Sequence, residues 1–177
     1  NYSLTVTAVD TAGNNSTTSS PINVTVDTVS LTPSSLATAS PLTNNPTPAI
    51  TGTAEAGSTV TLLSEEGNVL GTATADSNGN FSITPTSNLI DGEYSLTVTA
   101  LDTAGNTSST SSPINVTVDA TAPNAPISLI LISNQNDSTP TISGTAEAGS
   151  TVTLLNGSVI LGTATADSNG NFSITPT

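Results

Sequence analysis

Lysine, arginine and histidine are absent from all 177 residues, against thirteen aspartates and glutamates. No carboxylate can therefore pair with a cationic side chain, and a formal charge of −13 repels phosphate backbones and anionic lipid surfaces. That argues against nucleic acid as a partner and leaves metal cations, water and backbone N–H groups. Cysteine is absent too, so neither a disulfide framework nor a thiolate metal site holds the fold. Without His or Cys there is no Ser/His or Cys/His nucleophile, and a Ser/Lys pair fails for want of lysine. Aromatics number four: Tyr2, Tyr94, Phe81 and Phe172. All four sit at positions expected to face inward on strands, which leaves no aromatic wall for a sugar cleft between paired carboxylates. The chain does not read as an enzyme. Its longest apolar run, Ile127 to Ile132, is broken by Ser128 and is far too short to span a bilayer, so membrane insertion is not expected.

What is present is repetition. Residues 52–63 read GTAEAGSTVTLL, and residues 144–155 repeat them unchanged. YSLTVTAV at 2–9 returns as YSLTVTAL at 94–101, and SPINVTVD at 20–27 returns at 112–119. GTATADSNGNFSITPT at 71–86 returns at 162–177. This periodicity predicts three segments: residues 1–27 as the last two strands of one repeat, 28–119 as a complete repeat, and 120–177 as the first five strands of the next. Both ends of the chain fall in mid-repeat, so the expectation is a window on a longer array whose neighbouring repeats are the chain's nearest partners.

Within the repeat, apolar and polar residues alternate. Leu, Ile, Val and Phe make up only about 23% of the chain, near the level at which a highly charged sequence stays disordered, so the period-2 pattern is the evidence for folding. Tyr2, Leu4, Val6 and Ala8 alternate with serine and threonine, as do Ile22, Val24 and Val26. Pro21 and Pro113 open a strand, where a missing N–H is tolerated. Turn formers separate the strands, with Asn156-Gly157 expected as a two-residue hairpin turn and Asn-Gly at the centre of 76–80. Seven short strands per repeat and no helical period predict an all-β fold of tandem seven-stranded immunoglobulin-like β-sandwiches joined by short linkers. Tyr94 gives a positional test. In such sandwiches a tyrosine near the start of strand F precedes an inward core position by two residues, and here Leu96 takes that position.

The acids are not scattered. If every connection in a seven-strand antiparallel sandwich reverses direction, the incoming linker and the loops after strands two, four and six share one pole. The acids at that pole are Asp27, Glu55, Asp76 and Asp102 in the complete repeat, and Asp119, Glu147 and Asp167 in the next; Asp10 is the sixth-loop acid of the preceding one. Carboxylates crowded together repel and raise one another's pKa, and a hard divalent ion taking six to eight oxygens would relieve this. Ca²⁺ suits oxygen-only ligands on Gly-rich loops better than Mg²⁺ or Zn²⁺ does. The competing reading is that these acids cap turns and keep the surface soluble, which an Asn-Gly turn explains unaided for Asp76 and Asp167.

Taken together, TISGTAEAGSTVTLL, LGTATADSNGNFSITP and YSLTVTALDTAGNTS resemble the bacterial immunoglobulin-like repeats of giant surface and biofilm-associated adhesins. The resemblance covers nearly the whole chain. It implies Ca²⁺ at domain junctions, held by the linker aspartate and the acids of GTAEAG and DTAGN. It also implies an extracellular, cell-surface extender segment, with the adhesin's host, surface or biofilm ligand bound elsewhere in the full protein. Two other classes stand beside it: a subunit of a self-assembling filament, and a glycan- or protein-binding module.

Overall fold

Thr59, Thr61 and Leu63 alternate with the buried Val60 and Leu62, and the same two-residue period of burial marks Asn80–Ile83 and Asn171–Ile174. The computed structural model describes residues 1–132, 136 and 138–176. Fifteen strands and no helix occur among them, so the all-β class holds. They form two compact units, Asn1–Ala120 and Thr121–Thr177.

The first unit opens with a hairpin, β1 (Tyr2–Leu4) and β2 (Ile22–Val24), antiparallel with Tyr2 opposite Val24. There follow β3 (Ser34–Thr38), β4 (Leu42–Thr43), β5 (Ile50–Thr53), β6 (Thr59–Leu63), β7 (Val69–Thr74), β8 (Asn80–Ile83), β9 (Gly92–Leu101) and β10 (Ile114–Val118). They build a three-stranded sheet, β3-β5-β8, and a five-stranded sheet, β4-β10-β9-β6-β7. Ile50, Phe81 and Ile83 from the first sheet share one buried core with Val60, Leu62, Leu96, Val98, Val116 and Val118 from the second. Burying each such side chain contributes about 1.5–3 kcal/mol.

The first of the seven expected strands is in two pieces, one in each sheet. β3 pairs antiparallel with β5, while β4 pairs parallel with β10. Pro41 stands at the switch. It has no N–H to offer a ladder, but its carbonyl accepts the Thr117 N–H at 2.7 Å and so starts the new pairing. β3 also carries a register shift, where Ser35 takes φ 55°. The tyrosine test is met: the Tyr94 hydroxyl donates to the Ile90 carbonyl at 2.8 Å, and Leu96 is fully buried.

β9 spans ten residues because β10 and β6 flank it, the latter pairing from Thr59 opposite Leu101 to Leu63 opposite Thr97. β1 has the same starting sequence but only three strand residues, since among the described residues nothing pairs its other edge. Tyr2, expected to face inward, is 59% exposed, because among the described residues no second sheet covers this hairpin. The loop that follows is nonetheless built alike in both copies. Ser108 and Ser111 donate their N–H groups to the Ala100 and Val98 carbonyls, while their hydroxyls accept from the Ala100 and Val98 N–H groups. Each hydroxyl thus stands in for a strand carbonyl. Ser16 and Ser19 do the same against Ala8 and Val6.

The second unit holds β11 (Ile127–Ile132), β12 (Thr141–Thr145), β13 (Thr151–Asn156), β14 (Val159–Thr165) and β15 (Asn171–Ile174), in sheets β11-β12-β15 and β13-β14. The registers repeat those of the first unit: Gly144 lies opposite Phe172 as Gly52 lies opposite Phe81. Val152, Phe172 and Ile174 make its core. The β13–β14 turn differs by one residue from the expected Asn156-Gly157. Asn156 pairs with Val159, so Gly157 and Ser158 turn the chain. Gly157 has φ 60°, as the first central residue of a type II′ turn requires.

Candidate functional site

Four of the eight candidate acids begin the same five-residue pattern, Asp-x-x-Gly-Asn: Asp10–Asn14, Asp76–Asn80, Asp102–Asn106 and Asp167–Asn171. In each, the glycine N–H donates to the aspartate carbonyl, and the aspartate Oδ1 accepts the N–H groups two and four residues on. The glycine has positive φ in every copy, a backbone state that costs other residues strain. In the DTAGN copies the asparagine amide also donates to Oδ2 at 2.8 Å. All these bonds favour the charged carboxylate. Asp10 and Asp102 are held below the usual aspartate range chiefly by the side-chain amides of Asn14 and Asn106, Asp76 and Asp167 chiefly by the backbone N–H of Asn80 and Asn171. The upward shift expected from crowded carboxylates is therefore not what Asp102 shows, because hydrogen bonds from its own turn dominate.

One group forms across elements. Asp27 lies three residues beyond the end of β2, Glu55 begins the turn between β5 and β6, and Asp102 follows β9. One carboxylate oxygen from each lies within 4.8 Å of the others. Asp27 is exposed, Glu55 half-buried and Asp102 buried. Local bonds set the two loops. The Glu55 carbonyl accepts both the N–H and the hydroxyl of Ser58, which is itself buried.

Asn106 joins the linker to the turn. Its Nδ2 donates to the Asp27 carbonyl at 3.1 Å and to Asp102 Oδ2 at 2.8 Å. The Asp27 Oδ1 accepts the Val29 N–H, and further along the linker the Ser30 hydroxyl donates to the Ala100 carbonyl while Thr32 and Ser109 share a hydroxyl bond. The linker is laid against the loop that carries Asp102. Sequence reasoning passed over Asn106, although the signal was there: all four Asp-x-x-Gly motifs end in asparagine.

The donor set is all oxygen, and no lysine, arginine or histidine exists to neutralise it. Oxygens around a Ca²⁺ at 2.3–2.6 Å stand at most about 5 Å apart, so three within 4.8 Å of one another fit one coordination shell. The other candidates lie elsewhere. Asp76 belongs to the same unit but not to the group of three, although its turn is built like that of Asp102. Asp10 sits in the hairpin loop, likewise engaged by its turn. Asp119 closes the first unit, its N–H donating to the Thr43 carbonyl. Glu147 and Asp167 belong to the second unit, where Glu147 borders a groove lined by Asn124, Ala125, Ile127, Thr145 and Ala146, and Asp167 holds its turn.

Residues 31–120 match the family described as bacterial Ig-like domain, and residues 122–177 match the bacterial Ig domain. No curated protein matches. Among solved structures, the chain is similar to a crystal structure of a tetra-tandem repeat in the extending region of a large adhesion protein, at 26% identity and a TM-score of 0.43, covering 96% of this chain and 46% of that one. It is also similar to the BSP domain of a biofilm-associated protein, at 27% identity and a TM-score of 0.36, covering 80% of this chain and 24% of that one. The chain thus spans less than half the length of either structure. With a complete sandwich built on the tyrosine corner and a second unit repeating its registers, the chain belongs to the bacterial immunoglobulin-like domain family.

Proposed function

We propose that this chain is an extracellular extender segment of a large repetitive bacterial surface adhesin, with residues 28–119 as one complete repeat, stiffened by Ca²⁺ where each linker joins the repeat that follows it. The observation that carries this reading is the meeting of Asp27, Glu55 and Asp102 at the point where the linker reaches the sandwich. Bound there, Ca²⁺ would supply positive charge to a cluster that has no other source of it. Asp27 belongs to the linker and the other two to the sandwich, so an ion shared by all three ties one to the other. The Asn106 amide, bonded to the Asp27 carbonyl and to Asp102, holds the linker in place for it. By sequence position Asp119 is the equivalent of Asp27, Glu147 of Glu55 and Asp10 of Asp102, and the same role is proposed for them in their own repeats. Asp76 and Asp167 are assigned to their turns.

The absence of basic residues suits a chain that must remain soluble and unbranched in a long array, since like-charged repeats repel side to side. Isothermal calorimetry with CaCl₂ tests the assignment. Asp27→Asn, Glu55→Gln and Asp102→Asn should each weaken binding about tenfold or more by removing a charged ligand. Asp76→Asn should leave it unchanged. Equal affinity in all four variants overturns the site.

A further inference from the structure

Three Asn-Gly pairs occur in the chain, at Asn78-Gly79, Asn156-Gly157 and Asn169-Gly170. Glycine offers no side chain to shield its amide nitrogen, so each pair is chemically able to cyclise, and the fold treats them very differently. Gly79 and Gly170 are buried, and their N–H groups donate to the Asp76 and Asp167 carbonyls at 2.9 Å. Their own carbonyls accept from Ala54 and Ala146 at 2.8 Å, and the preceding asparagines are pinned by N–H bonds to the same aspartates. A Cβ on Gly79 would stand 2.6 Å from the Ala54 carbonyl oxygen, which measures how closely the backbone is held. At the tip of the β13–β14 hairpin, Asn156, Gly157 and Ser158 are all exposed. Nothing lies within 4 Å of where a Gly157 Cβ would be, and among the described residues no hydrogen bond to its N–H is seen.

We propose that Asn156 is a site of spontaneous deamidation, the one Asn-Gly pair of the three that the fold leaves free to react. The Gly157 amide nitrogen forms a bond to Asn156 Cγ, and the side-chain nitrogen leaves as ammonia, carrying the amide proton. The cyclic imide that results is opened by water at either carbonyl, giving aspartate or, when the main chain is rerouted through the side chain, isoaspartate. The net change is water taken up, ammonia lost and one more negative charge on a chain already at −13. The isoaspartate product places an extra methylene in the backbone at the hairpin tip. The corresponding tip of the first unit, Ser64 to Asn68, contains no Asn-Gly pair, so the site distinguishes the two repeats.

The test is incubation of the full chain at neutral pH and 37 °C, followed by acidic-residue-specific proteolysis and mass spectrometry. Cleavage after Glu147 and Asp167 releases a peptide whose one asparagine is Asn156. Asn156 should convert first, as a mixture of aspartate and isoaspartate, with Asn78 and Asn169 slower by roughly tenfold or more because their turns must open before they can react. In urea the three should react at similar rates. Equal rates in the folded chain would overturn the proposal, and so would a difference that persists in urea, which would assign it to local sequence alone.

Discussion

Asp102 belongs to its own turn and to the group of three acids at once, and both of its oxygens already accept bonds within the turn. Oδ1 takes two backbone N–H groups and Oδ2 takes the Asn106 amide, an arrangement that keeps the carboxylate charged and aimed. Asn106→Ala should therefore move the Asp102 pKa back up towards its ordinary value, read by NMR titration of the carboxyl carbon. It should also speed amide exchange at Val29 and Ser30 by freeing the Asp27 carbonyl. An unmoved titration would show that the amide bond contributes nothing to the charged form. The four turn aspartates set a pH window as well. Each has a folded pKa depressed below its ordinary value of 3.8, so each contributes stability above that value and loses it as pH falls through the folded one. The thermal midpoint should accordingly stay flat from pH 7 to about 5 and fall below about 4. Asp76→Ala should lower the plateau and shallow the fall. A midpoint that begins to drop above pH 5 would point to carboxylates whose pKa is raised instead.

At the scale of the element, alternation marked the strands of the complete repeat but not which of them a second sheet covers: Leu4 and Val6 alternate like Leu96 and Val98 and are exposed. Phe81, Phe172 and Leu96 were expected to face inward, and all three are buried. Less legible was anything decided by a neighbour distant in sequence. The split of the first strand depends on β4 finding β10, some seventy residues on, and nothing in Leu42-Thr43 announces a parallel partner. The length of β9 against β1 depends on β6, so the repeated segment is strand throughout Tyr94–Leu101 in one copy and only over Tyr2–Leu4 in the other. Of the candidate site, strand parity brought Asp27, Glu55 and Asp102 to one pole. It set Asp76 beside them as well, because counting reversals places loops and not side chains. Gly52 shows how closely side chains from both neighbouring strands of the β3-β5-β8 sheet close over it: a Cβ there would stand 2.6 Å from the Phe81 ring and 2.9 Å from Leu36. Phe81 is buried and cannot retreat, so Gly52→Ala should destabilise the sandwich by about 1–3 kcal/mol in urea unfolding. Leu62→Ala, which empties a fully buried site, should cost about 2–5 kcal/mol. A neutral Gly52→Ala would mean that the Phe81 ring and Leu36 can shift locally without loss.

For the whole molecule the question is which forces the proposed calcium ion would act on. Each sandwich carries its own apolar core, so removing the ion should leave folding almost intact; the linker is held by a few hydrogen bonds and by whatever joins Asp27 to Glu55 and Asp102. Salt is a competing explanation, because any cation screens a chain of charge −13, and in roughly 0.1 M NaCl charges more than about 10 Å apart hardly interact. The two effects have opposite signs on length. Screening relaxes repulsion and lets an array of repeats contract, whereas an ion bound at each linker removes bending freedom and extends it. Small-angle scattering of a polypeptide of several repeats, in NaCl at physiological strength, should therefore show a larger maximum dimension with millimolar Ca²⁺ than with EDTA, while circular dichroism stays the same. Mg²⁺ at the same concentration should do less, since it gives up water reluctantly and demands a tighter octahedron than three carboxylates on separate loops provide. Asp27→Asn together with Asp119→Asn should abolish the extension without changing the melting midpoint of the isolated repeat. Equal extension by Ca²⁺ and Mg²⁺, or contraction with both, would reduce the ion's role to screening and leave the linker hydrogen bonds as the source of stiffness.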